Sequence, residues 1–398
     1  MKSNWNKFDL LCIIALVVSY YFVSVIGLNW DHLELAGGYG LDTDGGGISE
    51  ALGYLYNLEE NWQIGFKEYP QGYGILLALF YAFAVSAATL AGKLPPFEIH
   101  MANQPYGRLL MAVADISTAD GRIFFTLVAR GMSSLFGLLT VLLVYVIGRN
   151  YFHSRKVGIA ASIMLLSSYP FIIFSQNAKY PATAIFFFLL AFYLACRLLD
   201  TPAAGLYFKS GFCAGMAVSI TYFNGVALIV LLLSHMIVHK SKASLRHAPA
   251  MANKRLLLAL FAACLAFLIT NPRVVTDGPT LVLDIMAWAR AFIAPDKRAD
   301  HLLSNLYSGA GGWVYRIRDD VGLPLLAAMA LGLLASAMTY SRKTAPFLFV
   351  GFFYFAFSTV GAQSYIVATA YPILVLLFAH WCNQLVTRLT KPLMAALR

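Results

Sequence analysis

The sequence predicts an all-α membrane protein, a polytopic bundle of transmembrane helices. Hydrophobic residues make up 60% of the 398 residues and charged residues 12%, against roughly 45–50% and 25% in typical soluble chains. A soluble globule of this size cannot bury so much apolar surface. Runs of about 20 mostly apolar residues, the length that crosses a bilayer, recur along the chain. Lys and Arg lie in short segments between these runs, so the net charge of +10 indicates membrane topology and not nucleic-acid binding.

About ten apolar runs are predicted to cross the membrane, or eleven if the longest run is divided. The runs are Phe8–Leu28, Tyr73–Gly92, Phe125–Gly148, Val157–Ser175, Ala182–Leu199, Gly211–Val238, Leu256–Thr270, Leu323–Tyr340, Ala345–Val360 and Tyr365–Leu385. The Gly211–Val238 run is long enough for a short re-entrant helix followed by a full one, which changes the parity of the count. The first run follows Lys2 and Lys7 without a small-residue cleavage site, so it is predicted to remain as a helix.

Basic residues set the predicted orientation. The N-terminus, the 239–255 loop, the 341–344 turn and the C-terminal tail are all basic, and basic loops tend to stay in the cytoplasm. Ten crossings place these four segments together on that side. The basic 149–156 segment then falls on the outer side as an exception, and the hydrophilic Lys93–Ile123 stretch falls in the cytoplasm.

The chain is predicted to be one membrane domain, residues 1–398, with two long loops on the outer face. The first loop, Asn29–Gly72, holds eight of the nineteen acidic residues, and the second, Asn271–Gly322, is mixed in charge. No internal repeat supports a two-fold transporter architecture. The five cysteines include no CxxC pair, so neither a disulfide framework nor a zinc site is predicted.

The first outer loop carries a carboxylate pair. Asp42 and Asp44 lie two residues apart in the segment from Gly40 to Glu50 and are followed by three glycines. In an extended segment both side chains point to one side. Such a pair can share a divalent cation, Mg²⁺ or Mn²⁺, or one carboxylate can act as a base while the other orients it. A solvated acidic loop tip is the alternative interpretation.

A short amphipathic helix is predicted directly after this pair. Ile48, Ala51, Leu52 and Leu55 recur at helical spacing. A helix of this kind lies along the membrane surface and would hold the two carboxylates near the level of the lipid headgroups. The same pattern also fits a helix that only covers the bundle.

Three basic residues stand out because of where they lie. Lys67 precedes Pro70 at the predicted start of the second membrane helix, where anions are favoured. Arg130 lies about one turn inside the third helix, where a charge is costly unless it is paired or lines a polar cavity. Lys179 lies in the turn before the fifth run. The alternatives are a lysine that extends to the membrane interface and a structurally paired arginine.

Taken in order, these segments resemble the GT-C superfamily of integral-membrane glycosyltransferases, and in particular its protein O-mannosyltransferase and aminoarabinose-transferase branch. The segments that carry the resemblance are Asp42 with Asp44, Tyr69-Pro70-Gln71-Gly72, Ala129–Val141, Ser175–Phe188 and Asn271-Pro272-Arg273. Each motif is weak alone, and their order is the more specific signal.

The resemblance implies transfer of a sugar from a polyprenyl phosphate or pyrophosphate to a hydroxyl of a lipid, glycan or protein at the outer face of a bacterial inner membrane. It implies that Asp42 acts as the base, with Asp44 as orienter or metal ligand. Some members of the superfamily use a divalent cation. The residues implied for donor binding are Lys67, Tyr69, Arg130, Lys179, Arg273 and Arg316.

Two other classes of function remain open from the sequence. A transporter or lipid flippase would favour charged residues in the middle of helices together with repeat symmetry. A non-enzymatic assembly subunit would need none of the polar residues above. A transfer assay with a labelled lipid-linked sugar separates these classes from a glycosyltransferase.

Overall fold

The computed structural model describes residues 6–25, 72–91, 119–240, 254–272, 323–339, 341–358 and 368–396, with a few single positions between 274 and 286. Over these ranges the chain forms twelve α-helices and no strand. They are α1 (Lys7–Tyr20), α2 (Gly72–Leu90), α3 (Ala119–Asn150), α4 (Arg155–Leu166), α5 (Tyr169–Gln176), α6 (Pro181–Arg197), α7 (Ala204–Ile220), α8 (Val226–Lys240), α9 (Lys254–Thr270), α10 (Leu323–Met338), α11 (Ala345–Ser358) and α12 (Tyr371–Ala396). The predicted all-α membrane fold is confirmed.

Several helices are suited to a bilayer by length and composition. Among the described residues, four stretches are long and apolar enough to cross a membrane: Lys7–Ser24, Thr126–Asn150, Tyr222–His239 and Tyr371–Thr390. A fifth is the pair α4 and α5, which bend by 70° at their junction. Other apolar helices of this bundle are shorter. The exact number of crossings stays a prediction.

Local sequence signals explain where the helices begin. Asn6 caps α1 through a reciprocal pair of hydrogen bonds with Asp9, because its side chain accepts from the Asp9 N–H and the Asp9 carboxylate accepts from the Asn6 N–H. Ser154 caps α4 through a single hydrogen bond, in which its hydroxyl accepts from the N–H of Val157. Pro170 and Pro181 lie in the first turns of α5 and α6, where a missing N–H costs nothing.

The helix bundle has two ends. We call the end that holds Arg149, Arg155 and Lys343 the basic end, and the other the opposite end. At the basic end, Asp9 of α1 contacts Arg149 and Arg155, and the Tyr151 hydroxyl donates to the carbonyl of Lys343 at 2.8 Å. Arg255 donates to the Pro202 carbonyl at the same end. The first turn of α1, the 341–344 turn and the start of α9 therefore share one side, as the sequence predicts.

The predicted position of the 149–156 segment is wrong. Asp9 lies at the start of α1 and its carboxylate is bonded to Arg149 and Arg155. The segment therefore lies at the basic end with the other basic turns, and the exception to the positive-inside rule disappears. Because α3 ends there, its first residues, 119–123, lie toward the opposite end and not on the predicted cytoplasmic side.

Two segments of the chain account for this difference. The Gly211–Val238 run is divided into two helices, α7 and α8, joined by a short 3-10 turn at Tyr222–Gly225, in line with the alternative that the sequence left open. They run antiparallel, because Tyr207 near the start of α7 bonds His235 near the end of α8 at 2.7 Å. α2 begins at the opposite end and α3 ends at the basic end, whereas the prediction places the start of α2 and the end of α3 on one side. These two differences cancel, so the later helices keep the predicted direction.

Close helix packing depends on small residues. A side chain at Gly211 or Gly215 of α7 would collide with the backbone of Ala259 or Ala263 in α9. Residue numbers increase in the same direction in both pairs, from Gly211 with Ala259 to Gly215 with Ala263, so α7 and α9 are parallel and their backbones touch. Without a hydrophobic driving force between helices in lipid, such close approach supplies the van der Waals contact that holds them together.

Candidate polar site at the opposite end

A stripe of polar residues follows one face of α3. Thr126, Arg130, Ser133 and Ser134 recur at helical spacing, and all four are buried. The exposed fraction of Arg130 is only 2%, although α3 is one of the helices suited to cross a membrane. A buried arginine on such a helix is expensive unless other groups solvate it, so this position indicates a polar interior at the Arg130 turn.

The turn that carries Lys179 lies against this stripe. The hydroxyl of Ser133 donates to the backbone carbonyl of Lys179 at 3.1 Å. Lys179 belongs to the short connection between Gln176, the last residue of α5, and Pro181, the first of α6. Ser133 is one helical turn from Arg130, so the fold brings the two predicted donor-binding segments together.

The start of α2 lies beside the same connection. The ring of Tyr73 meets the ring of Tyr180 edge-on, with 6.3 Å between their centroids. Gly72 packs against the backbone of Ser219 at the end of α7, where any side chain would collide. The predicted Tyr69–Gly72 motif thus ends next to the Lys179 turn, and the glycine is required by this close approach.

The end of α1 is joined to both segments. The Tyr20 hydroxyl donates to the carbonyl of Ser134 at 2.7 Å. Beyond Tyr20, α1 continues as a π turn, Tyr21–Val25. The side-chain amide of Gln176 donates to the carbonyls of Ser24 and Val23 in this turn, at 3.0 and 3.3 Å. Isolated π turns are rare and often occur at functional sites.

Most of the predicted site residues lie outside the described residues. These are Asp42, Asp44, Lys67, Tyr69, Arg273 and Arg316. The predicted amphipathic helix at 48–57 lies outside them as well. Of the eight predicted site residues, the structure therefore places two, Arg130 and Lys179, and it places them on adjoining segments. The roles of all eight remain predictions.

Sequence reasoning missed a second buried ionic group, at the basic end. The Asp9 side chain is fully buried, and each of its oxygens accepts three hydrogen bonds. Oδ1 accepts from Tyr145, Arg149 and Arg155 at 2.8–2.9 Å. Oδ2 accepts from Arg149, Arg155 and the Asn6 N–H at 3.0–3.1 Å. The signal was available in the sequence as a carboxylate in the first turn of an apolar helix.

The Asp9 group is suited to structure and not to catalysis. A carboxylate has about four lone-pair sites, and Asp9 already has six donors. No capacity remains to take a proton from a substrate hydroxyl. Because its partners come from α3 and α4, the carboxylate joins three helices through charge-assisted bonds.

No metal centre is found among the described residues. Groups of three or more His, Cys, Asp or Glu side chains are absent from this part of the chain. All five cysteines are described, and none of them is in a disulfide. The expected cation ligands, Asp42 and Asp44, lie outside the described residues, so the cation remains a prediction.

The comparison with known families falls on the same helices. Residues 124–272, from α3 to just beyond α9, match the family model of the dolichyl-phosphate-mannose-protein mannosyltransferases. The match includes the polar stripe of α3 and the Lys179 turn. A comparison with curated proteins finds no match. The family match confirms the resemblance to GT-C mannosyltransferases and indicates glycosyltransferase activity in general.

Proposed function

We propose that this chain, a GT-C-type mannosyltransferase-like membrane protein, transfers a sugar from a polyprenyl-phosphate donor to a hydroxyl of a lipid, glycan or protein. The observation that carries the proposal is Arg130, a buried cation on the polar stripe of α3 inside the segment that matches the mannosyltransferase family. We place the reaction on the outer face of a bacterial inner membrane, the side that the topology prediction gives to Asn29–Gly72 and Asn271–Gly322.

The donor phosphate is assigned to the cations of the opposite end. Arg130 and the Lys179 turn form the described part of this cradle, and Lys67, Arg273 and Arg316 are candidates to complete it. Arginine suits the role because its planar guanidinium stays charged and can bond two phosphate oxygens at once. Tyr69 is proposed to contact the donor beside Lys67.

The chemistry needs a base and a stabilised leaving group. The acceptor oxygen attacks the anomeric carbon, its proton passes to the Asp42 carboxylate, and the bond from the anomeric carbon to the phosphate oxygen breaks. The polyprenyl phosphate leaves as an anion, and a nearby cation lowers the energy of the charge that develops. Asp44 orients Asp42 or, with it, holds Mg²⁺ or Mn²⁺, which would add positive charge to the site.

The direct test is a transfer assay on the purified protein in nanodiscs. The donors are radiolabelled dolichyl- and undecaprenyl-phosphate mannose, and envelope material from the source organism supplies the acceptors. We expect label to pass to an acceptor. If the protein moved the intact donor across vesicle membranes without transferring its sugar, a flippase would replace this proposal.

Arg130→Gln tests the phosphate assignment. Loss of a cation that binds the donor in both the ground and the transition state should raise the donor KM and lower kcat/KM by about tenfold or more, since a charge-assisted hydrogen bond contributes about 1.5–3 kcal/mol. Arg197→Gln is the matched control, because that arginine contacts Tyr193 within α6 near the basic end. Wild-type donor kinetics in Arg130→Gln would contradict the assignment.

A further inference from the structure

Three segments at the opposite end are joined pairwise by buried or half-buried hydrogen bonds. Tyr20 joins α1 to α3 at the Ser134 carbonyl, 2.7 Å away, and Ser133 joins α3 to the Lys179 carbonyl, 3.1 Å away. Gln176 joins α5 back to α1 at the Ser24 carbonyl, 3.0 Å away. Since the Lys179 turn directly follows α5, the three contacts close a ring of segments that includes the α3 turn next to Arg130.

The geometry of this ring is specific. Every acceptor is a backbone carbonyl, so the contacts fix the positions of the helices themselves and not only of flexible side chains. Tyr20 is 1% exposed and Ser133 is fully buried. Ser133 lies one turn after Arg130 on α3, and Tyr20 contacts the same turn through the Ser134 carbonyl. A side chain at Gly137 would collide with the Tyr20 hydroxyl and the Ser175 side chain, so α1 and α5 both pack against α3 at this glycine.

We infer that Tyr20, Ser133 and Gln176 are positioning residues that set the separation between Arg130 and the Lys179 turn. The inference rests on the proposed function, because it assigns the purpose of the ring to the phosphate cradle. A displacement of about 1 Å at a catalytic group costs up to about 100-fold in rate. Binding of the donor in the ground state tolerates such a shift better than the transition state, where charge on the leaving phosphate is larger.

Tyr20→Phe removes the hydrogen bond between α1 and α3 and keeps the aromatic side chain. We expect kcat to fall by about tenfold, within the range that misplacement of a catalytic group covers, with a change in donor KM of less than about threefold. Gln176→Met removes a second link and should act in the same direction. Tyr151→Phe is the matched control, since it removes an equivalent bond from a buried tyrosine to a backbone carbonyl at the basic end, 2.8 Å long.

A double-mutant cycle separates positioning from general stability. If Tyr20 acts through Arg130, then Tyr20→Phe should lower kcat/KM by less than about twofold in the Arg130→Gln background, because residues that act as a unit are not additive. Tyr151→Phe should have the same small effect in both backgrounds. The same fall for Tyr20→Phe with and without Arg130, or no fall in kcat, would overturn the inference.

The failure of the proposed function has a different signature. If Arg130→Gln alone leaves donor KM and kcat at wild-type values, the phosphate cradle itself is misassigned. If Arg130→Gln is impaired while Tyr20→Phe and Gln176→Met keep wild-type kcat, the cradle stands and the positioning role is wrong. Melting temperatures of all variants in the same detergent identify any loss of folded protein.

Discussion

The two ends of the bundle bury charge in different ways. At the basic end, Asp9 is bonded by Arg149 and Arg155, and every oxygen lone pair of the carboxylate is in use. At the opposite end, Arg130 lies on the polar stripe of α3, where the Ser133 hydroxyl donates to the Lys179 carbonyl and the Ser134 carbonyl accepts from the Tyr20 hydroxyl. The Asp9 group is suited to hold three helices together, and the contacts beside Arg130 are suited to fix the helix that carries a buried cation.

Tyrosines show the same contrast. Tyr151 at the basic end bonds the carbonyl of Lys343 and fastens the turn between α10 and α11. Burial raises the pKa of Tyr151 above its usual value, and the nearby Cys196 and Asp200 raise it further, so the hydroxyl stays protonated and donates. Tyr20 makes an equivalent bond, but to the helix that carries Arg130. Equivalent local chemistry thus has a different consequence at each end.

Accessibility should give the largest contrast, since labelling from one side is all or none. In a variant without the five native cysteines, Lys156→Cys should react only with reagent on the basic side. Ser49→Cys and Ser308→Cys should react only from the other side. The helices before their predicted loops, α1 and α9, end at the opposite end, and the helices after them, α2 and α10, begin there. The measurement is labelling of intact cells or oriented vesicles with a membrane-impermeant maleimide. Reaction of all three from one side would contradict the two-ended arrangement.

Loss of the proposed base should have the next largest effect. General-base catalysis is worth about 10²–10⁴-fold, so Asp42→Asn should lower kcat by that factor and leave donor binding and folding intact. Asp44→Asn should lose less, or regain activity at high Mg²⁺ or Mn²⁺. Donor turnover is measured for both variants with and without EDTA. Full activity of Asp42→Asn would remove it as the base, and indifference to EDTA would remove only the metal.

Asp9→Asn should give the reverse pattern, a stability defect without a catalytic one. Breaking a buried ion pair typically costs about 3–5 kcal/mol of stability. Because 39% of the Arg155 side chain is exposed, we expect the cost of Asp9→Asn to lie toward the lower value. We expect a lower melting temperature in detergent and unchanged kcat per folded molecule. A fall in kcat at constant melting temperature would instead connect the basic end to catalysis.

The smallest effect is expected from an exposed pair at the same end. Asp200 and Lys343 lie 3.1 Å apart, but their side chains are 39% and 42% exposed. Solvent and salt screen such pairs, so Asp200→Asn should change stability by less than about 1 kcal/mol. Thermal unfolding at low and high salt measures this. A loss as large as that of Asp9→Asn would mean that exposure does not separate the two ion pairs.

Individual residues show what could be anticipated from sequence. Arg130 was identifiable because a charge on an apolar helix needs an explanation wherever its partners lie. Asp9 carries a weaker signal, because an acidic residue in the first turn of a helix is ordinary. Tyr20 gave no signal, because a tyrosine in an apolar helix is ordinary, and Gln176 lies in the Ser175–Phe188 segment of the resemblance without a predicted role of its own. Their importance depends on acceptors 114 and 152 residues away.

Composition and apolar periodicity by themselves determined that this is a helical membrane protein, because no soluble core can hold so many apolar residues. Motif order also indicated the mannosyltransferase-type resemblance. Only the tertiary structure decided that Gly211–Val238 is a hairpin, that the 149–156 segment joins the basic end and that Ser133 meets the Lys179 turn. The physical reason is that apolar length gives the number of residues in a run but not its direction, and direction is fixed by long-range contacts such as that between Asp9 and Arg149.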